Sequence, residues 1–354
     1  MANGLEGIVA AETVLSHADG ERGIIWVRGH AIPNLVAQGF EAAVALMWEG
    51  FAGESLTRAR MIEALGEGRV LACSRLSDWL PAATRREPLE ATRLLLAAVR
   101  DASTPAQIAA ALPVGIAALI RSRNGEAPVA PDPSLTAAAD FLRMLAGKTV
   151  EERFAQALDT YMTTVIDNGL SASTFAARVI ISTRASLASA VVGAYGAFTG
   201  ALHGGAPGLA LDLLDEVAKG GDNVDATIER KLLAGERLMG FGHRVFTLRD
   251  PRADMLRAAL LRLDPNSPRL AFAKRVEQAA VAALERRKPG RRLEANIEMD
   301  AALLLDAIGL PRAAFTPVFA MARAPAWIAH ALEQRRSGRM IRPASAYVGP
   351  TPEA

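Results

Sequence analysis

Apolar residues recur three and four positions apart over much of the chain, the spacing that lines one face of an α-helix. Thr57 to Leu65 and Leu89 to Val99 show this plainly, and Phe40 to Trp48 is apolar almost throughout. Pro33-Asn34-Leu35-Val36 reads as a helix start. Ahead of it, residues 1–30 read as short strands and turns, with Gly23-Ile24-Ile25-Trp26-Val27-Arg28-Gly29 a mostly apolar run bounded by glycines. Alanine, the best helix former, is abundant throughout. The pattern predicts a mainly α protein with a few short N-terminal strands. Arg121 to Pro133 holds three prolines and a glycine and reads as a loop. So do Gly220-Gly221-Asp222 and Pro265-Asn266-Ser267-Pro268. Two stretches lack charge, Ala102 to Ile120, which prolines 105 and 113 are expected to break, and the Gly-, Ala- and Ser-rich Ala185 to Leu202. Both are long enough to cross a bilayer, but closely packed buried helices are the expectation, and no membrane partner is predicted.

A chain of 354 residues suggests about two domains. It is 51% hydrophobic and 22% charged, inside the globular range and with ample material for a core. Net charge is only +2, and arginine dominates the basic residues, which favours bidentate contacts with carboxylate or phosphate. No basic block with interleaved aromatics is present, so nucleic acid is not an expected partner. The densest basic run, Arg286, Arg287, Lys288, Arg291 and Arg292 between Glu285 and Glu294, reads as a solvated helix end or loop. A site for the phosphates of a nucleotide-like ligand is its alternative. Cys73 is the only cysteine, so no disulfide can close within the chain and no cysteine zinc site can form. That usage suits a reducing cytoplasm, and Met1 to Glu6 has neither the basic start nor the apolar run of a signal peptide.

Candidate chemistry lies in three short segments: Leu202-His203-Gly204-Gly205-Ala206, Gly240-Phe241-Gly242-His243-Arg244-Val245 and Asn296-Ile297-Glu298. Two of the five histidines thus sit beside glycines, which permit tight turns and close approach by a ligand. Two histidines and a carboxylate are a minimal set for removing a proton from a carbon acid and stabilising the enolate. Taken singly, each has an ordinary explanation: a helix-end histidine, a turn histidine and a surface glutamate. Competing signatures fail. Gly147-Lys148-Thr149 ends like a P-loop, but position 142 is leucine. Gly240-Phe241-Gly242 lacks the third glycine of a dinucleotide fingerprint. Neither a Gly-x-Ser-x-Gly elbow nor a His-Glu-x-x-His pair occurs.

In combination, these segments resemble the citrate synthase family, especially its bacterial citrate and 2-methylcitrate synthase branch. The likeness runs from Gly4-Leu5-Glu6-Gly7-Ile8-Val9-Ala10-Ala11-Glu12-Thr13 through Leu170 to Ala177, Leu202 to Ala206 and Gly240 to Arg252. It ends with Phe315-Thr316-Pro317, Met321-Ala322-Arg323, Trp327-Ile328-Ala329-His330 and Ile341-Arg342-Pro343. The resemblance implies a two-domain helical fold: a large dimer-forming domain of residues 1–205 and 310–354, and a small domain of 206–309 that closes over acyl-CoA. It implies condensation of a short acyl-CoA with a 2-oxo acid such as oxaloacetate, followed by thioester hydrolysis. The CoA thioester is then a co-substrate, with no permanently bound cofactor and no metal. It assigns His203 to the thioester carbonyl, His243 to the ketone, and Glu298 to the place of the family's aspartate base. Arg252, Arg323 and Arg342 match the arginines that hold substrate carboxylates, Arg342 from the partner of a homodimer. Two departures stand out. Asn168 replaces the family's histidine ahead of Ser173-Thr174-Phe175, removing a possible positive charge. Met299-Asp300 replaces aromatic residues after the base; Asp300 either faces the cleft and repels Glu298, raising one pKa, or diverges from it on a helix. The alternatives are a synthase with a different keto acceptor and a non-catalytic paralogue.

Overall fold

The structure is a computed structural model and describes residues 8–20, 22–200, 203–204, 206–221, 223–236, 238–241, 250–287 and 296–350. A small antiparallel sheet opens the described chain in the order β1 (Ser16–Asp19), β2 (Ile24–Val27), β3 (His30–Ala31). Ser16 pairs with Val27, and Trp26 with Ala31. Ile25 and Val27 are buried and alternate with less buried neighbours, the period of two that gives a strand one inner face.

Sixteen α-helices follow among the described residues. They are α1 (Ile32–Val36), α2 (Phe40–Trp48), α3 (Arg58–Cys73), α4 (Leu80–Ala83), α5 (Pro88–Ala97), α6 (Pro105–Arg123), α7 (Ala137–Ala146) and α8 (Glu152–Thr164). Then come α9 (Ala172–Ser182), α10 (Leu187–Phe198), α11 (Ala206–Lys219), α12 (Val224–Leu233), α13 (Pro251–Leu263), α14 (Pro268–Arg287), α15 (Ile297–Ala307) and α16 (Phe315–Ser337). Side-chain caps start many of them. Thr57, Thr136, Ser171, Ser186, Asp250 and Asn296 each accept a first-turn backbone N–H. Thr104 and Gln107 cap α6 reciprocally.

Of the two prolines expected to break Ala102 to Ile120, Pro105 marks a boundary and Pro113 does not. Pro105 occupies the first turn of α6, where its missing N–H is no loss, and Pro113 lies inside the helix. Ile108 to Leu119 are buried without interruption between α3, α5, α7 and α16. Burial on every side offsets the one hydrogen bond that Pro113 removes, and it also explains the apolar composition. Gly68 allows α3 to lie close to α6: a Cβ there would sit 2.8 Å from the Ala110 Cβ. Arg69 of α3, itself buried, reaches Asp140 of α7 at 2.7 Å.

The long α16 runs through the middle of this assembly and packs on α2, α6, α8, α9, α10 and α11. Helices α11 and α13 pack on α15, α12 packs on α14, and both α13 and α15 reach α8. The candidate residues lie where α9, α10 and α16 approach this second group.

Candidate active site

Ser171 caps α9 through Thr174 N–H, which places Ser173 in the first turn, fully buried. Facing it is α16, whose Arg323, Trp327 and His330 are spaced four and then three residues apart and therefore share one helix face. Their polar ends reach three different points. Arg323 Nε donates to the Val165 carbonyl at 2.8 Å, Trp327 Nε1 to Ser173 Oγ at 3.1 Å, and His330 Nε2 lies 2.9 Å from Asp167 Oδ2.

His203 follows α10 in a tight turn. Its N–H donates to the Gly200 carbonyl, and Gly204 N–H to the Phe198 carbonyl at 2.7 Å. Only glycine fits at 204: a Cβ would stand 2.5 Å from the Phe198 ring and 2.6 Å from its carbonyl oxygen. Thr316 Oγ1 donates to the Gly204 carbonyl and ties the turn to the start of α16. The imidazole meets the Phe198 ring edge-on, with centroids 5.1 Å apart, and His203 Nε2 lies 2.8 Å from Ser173 Oγ. Burial, helped by the Arg323 charge, pushes the His203 pKa down to about 4. The ring is therefore neutral at physiological pH.

Opposite stand α13 and α15. Asp250 caps α13 and also pairs with the buried Arg252, Nη2 to Oδ2 being 2.7 Å. Asn296 caps α15: its Oδ1 accepts Glu298 N–H at 3.0 Å, and its own N–H donates to the Gly240 carbonyl at 2.9 Å. Glu298 thus stands in the first helical turn, where the helix dipole favours a carboxylate. It is not the exposed surface carboxylate of the ordinary reading. Burial raises its pKa, while Asn296 Nδ2 and the Arg252 charge pull the other way. Asp300 takes the diverging course. Its carboxylate is buried against Arg257, Nε to Oδ1 being 2.8 Å, and Arg257 also pairs with Glu277 of α14. Asp300 therefore fastens α15 to α13 and α14, away from Glu298.

Electrostatics link the two sides. Arg323 acts on His203, Arg252 acts on Arg323, and Arg252 acts on Glu298. Arg323 is buried and its pKa is pushed down to about 10 by desolvation, partly opposed by Asp167. Four of the seven residues named from sequence therefore share one neighbourhood. Asn168 adjoins it through Asp167, and its Oδ1 is buried with no hydrogen-bond partner among the described residues. Arg342 is exposed on the tail beyond α16 and shares no hydrogen bond or ion pair with the others among the described residues. His243 lies outside the described residues, as do Lys288, Arg291 and Arg292. Arg286 and Arg287 both pair with Glu229 at the surface, which agrees with a solvated helix end. Sequence reading did not single out Ser173, Asp167 or His330, although the 323/327/330 spacing was available as a signal.

The fold is that of the citrate synthases. It superposes on the citrate synthase of Thermotoga maritima with a TM-score of 0.87, covering 100% of this chain and 97% of that one at 28% identity. The family model "Citrate synthase, C-terminal domain" matches residues 4–344. A Mycobacterium tuberculosis protein named "Putative citrate synthase 2" is 37% identical over 99% of this chain and 94% of its own length. The "Citrate/2-methylcitrate synthase" of Bacillus subtilis is 32% identical over 98% and 96%. The chain belongs to the citrate synthase family, enzymes that condense an acyl-CoA with oxaloacetate.

Proposed function

We propose that this enzyme condenses acetyl- or propionyl-CoA with a 2-oxo acid such as oxaloacetate, and that the residues named from sequence carry the reaction. Glu298 takes the proton from the carbon α to the thioester, and the electron pair moves onto the thioester oxygen. His203 donates a hydrogen bond to that oxygen. The enolate carbon attacks the ketone carbon, and His243 gives the ketone oxygen its proton. Water then cleaves the C–S bond and CoA leaves as its thiol, giving citrate or 2-methylcitrate. Arg252, Arg323 and Arg342 receive the substrate carboxylates as bidentate forks, Arg342 from the other protomer of a homodimer. Residues 206–309 act as the closing domain against 1–205 and 310–354, and the enzyme works in the cytoplasm.

The observation that carries this reading is the neutral His203 across from a half-buried carboxylate, with Arg323 acting on the first and Arg252 on the second. Trp327 Nε1 can only donate, so Ser173 Oγ accepts there and has its hydrogen available for His203 Nε2. An Nε2 that accepts leaves the hydrogen on Nδ1, the nitrogen needed to meet a developing enolate. On the other side, burial makes Glu298 a stronger base than an exposed glutamate, and the Arg252 charge favours its ionised form.

A second reading, a different keto acceptor, is favoured by Asn168, which brings no positive charge and whose Oδ1 lacks a partner among the described residues. Thiol release from acetyl- and propionyl-CoA, measured against a panel of 2-oxo acids, separates the two. Turnover with oxaloacetate at the level of ordinary family members removes the second reading. Turnover only with a monocarboxylic acceptor establishes it, and no turnover with any pair overturns both.

A further inference from the structure

The three-point grip of α16 has one contact that the reaction does not use. Asp167, Arg178 and His330 are each at most 1% exposed and joined in line, His330 coming from more than 150 residues further along the chain. Arg178 directs Nη2 and Nε at His330 Nδ1, at 2.9 and 3.3 Å. A guanidinium has only donors, so Nδ1 accepts and the ring hydrogen sits on Nε2. Nε2 then donates to Asp167 Oδ2 at 2.9 Å. Ser16 Oγ of β1 donates to the same oxygen at 2.5 Å and accepts from Gly169 N–H at 3.2 Å. Asp167 Oδ1 accepts from Asn168 N–H at 2.8 Å. Burial alone would raise the Asp167 pKa, but His330, Arg323 and Ser16 reverse this and hold it below the usual carboxylate range. At the far end, Arg178 is anchored by Gln334 Oε1 at 3.1 Å and by Glu333, whose other oxygen accepts Val14 N–H.

We infer that His330, backed by Arg178, is a positioning residue for the 2-oxo-acid pocket: it fixes the Asp167 carboxylate and thereby the Asp167-Asn168-Gly169 turn. A buried ionic string of this kind is a poor way to gain stability, because apolar residues of the same volume often do as well. It does immobilise geometry. The carboxylate and the Ser16 hydroxyl hold two successive N–H groups, of Asn168 and Gly169, while Arg323 holds the Val165 carbonyl two residues earlier. The Asn168 side chain is carried on the pinned segment, and small displacements of a substrate-positioning group cost large factors in rate.

The inference rests on Asn168 touching the 2-oxo acid, so Asn168→Ala is measured alongside. The assay is steady-state thiol release with each substrate varied. His330→Phe keeps a planar aromatic ring and removes the hydrogen bonds at both ring nitrogens. It should raise the KM of the 2-oxo acid about tenfold or more while the KM of the acyl-CoA stays within about twofold. His330→Gln, which restores a donor toward Asp167, should recover most of that loss, and Ser16→Ala should raise the same KM by about two- to fivefold. A folded His330→Phe with an unchanged 2-oxo-acid KM overturns the inference, as does one that raises both KM values equally. Should His330→Phe fail to fold, Ser16→Ala decides, and an unchanged 2-oxo-acid KM in that variant overturns it. If Asn168→Ala itself leaves that KM unmoved, the underlying assignment of Asn168 fails. If Asn168→Ala raises it while His330→Phe and Ser16→Ala do not, only the positioning role fails.

Discussion

Around His203 the contacts come from α9, α10 and α16, whereas Glu298 is held mainly from within its own helix. The imidazole leans on Phe198, meets Ser173, and reaches Trp327 through that serine. Its turn is closed by the Phe198 carbonyl and by Thr316. Glu298 has Asn296, its own helix cap, and beyond that the field of Arg252. The histidine cannot move without breaking contacts to three helices. The carboxylate can travel with α15 and keep its local geometry. If His203 and Glu298 hold their proposed roles, the hydrogen-bond donor is fixed by three helices and the base is carried by one, a division suited to a cleft that closes on its substrate. Burial acts on both with opposite results, lowering the pKa of the imidazole and raising that of the carboxylate, because in each case it disfavours the charged form.

The most direct way to break this comparison is to remove the proposed base. Glu298→Gln keeps the shape and should lower kcat by about 10²–10⁴-fold without changing the circular dichroism spectrum. In the unmodified enzyme kcat/KM should fall toward acid pH, since protonation disables the base. The midpoint should lie above 4.5, because burial raises the carboxyl. An acid limb centred at or below 4.5 would contradict the account of Glu298. On the other side, Ser173→Ala should lower kcat by about tenfold, because His203 Nε2 loses the hydroxyl that orients the ring. It should also destabilise the fold by about 1–3 kcal/mol, because the buried Trp327 N–H loses its acceptor. Kinetics and thermal unfolding on the same preparation separate the two effects.

The asymmetry also explains what was legible in the chain. The catalytic candidates could be named because short motifs carry residue type and order, and helices such as those at Phe40 to Trp48 and Thr57 to Leu65 because apolar spacing is local. Pro113 misled because a proline's cost is local, whereas the burial that offsets it comes from α3, α5, α7 and α16. The partners of His203 were hidden for the same reason. Spacing shows that Arg323, Trp327 and His330 share a face, but not that the face meets Val165, Ser173 and Asp167, more than 150 residues earlier. Asn296 and Glu298, two residues apart, could be read together. Whether Asp300 joined them depended on Arg257, a partner on another helix that no local pattern reveals.

That partner gives the next test. Arg257→Met leaves the carboxylate of Asp300 buried without its guanidinium and should destabilise the protein by about 3 kcal/mol. The double variant Arg257→Met/Asp300→Leu should recover much of the loss, as read by urea unfolding. Substrate KM values at low temperature should hold in both variants. A changed 2-oxo-acid KM would place Asp300 in the pocket after all.

The smallest effect concerns whether a raised carboxyl pKa by itself marks a site. Asp159 of α8 shares that property with Glu298 but not its setting. Burial, and then the charge of Glu41, raise its pKa to about 6. Asp159 Oδ1 accepts Phe40 N–H at 3.2 Å, and the fully buried Glu41 accepts Ala137 N–H at 2.7 Å. A like charge is thus the neighbour here, where Glu298 has Arg252. The folded pKa exceeds the ordinary 3.8, so the folded state binds this proton more tightly. The resulting stability is complete below pH 3.8 and is lost as pH rises through about 6. At pH 7.5 the ionised Asp159 carboxylate should cost the native state about 1–3 kcal/mol. Asp159→Asn keeps an acceptor for Phe40 and removes the charge. Its Tm should rise by a few degrees at pH 7.5, with a much smaller gain at pH 4.5, where the aspartate is already largely protonated. An equal gain at both pH values would assign the effect to packing, and the raised carboxyl would then lose its electrostatic explanation.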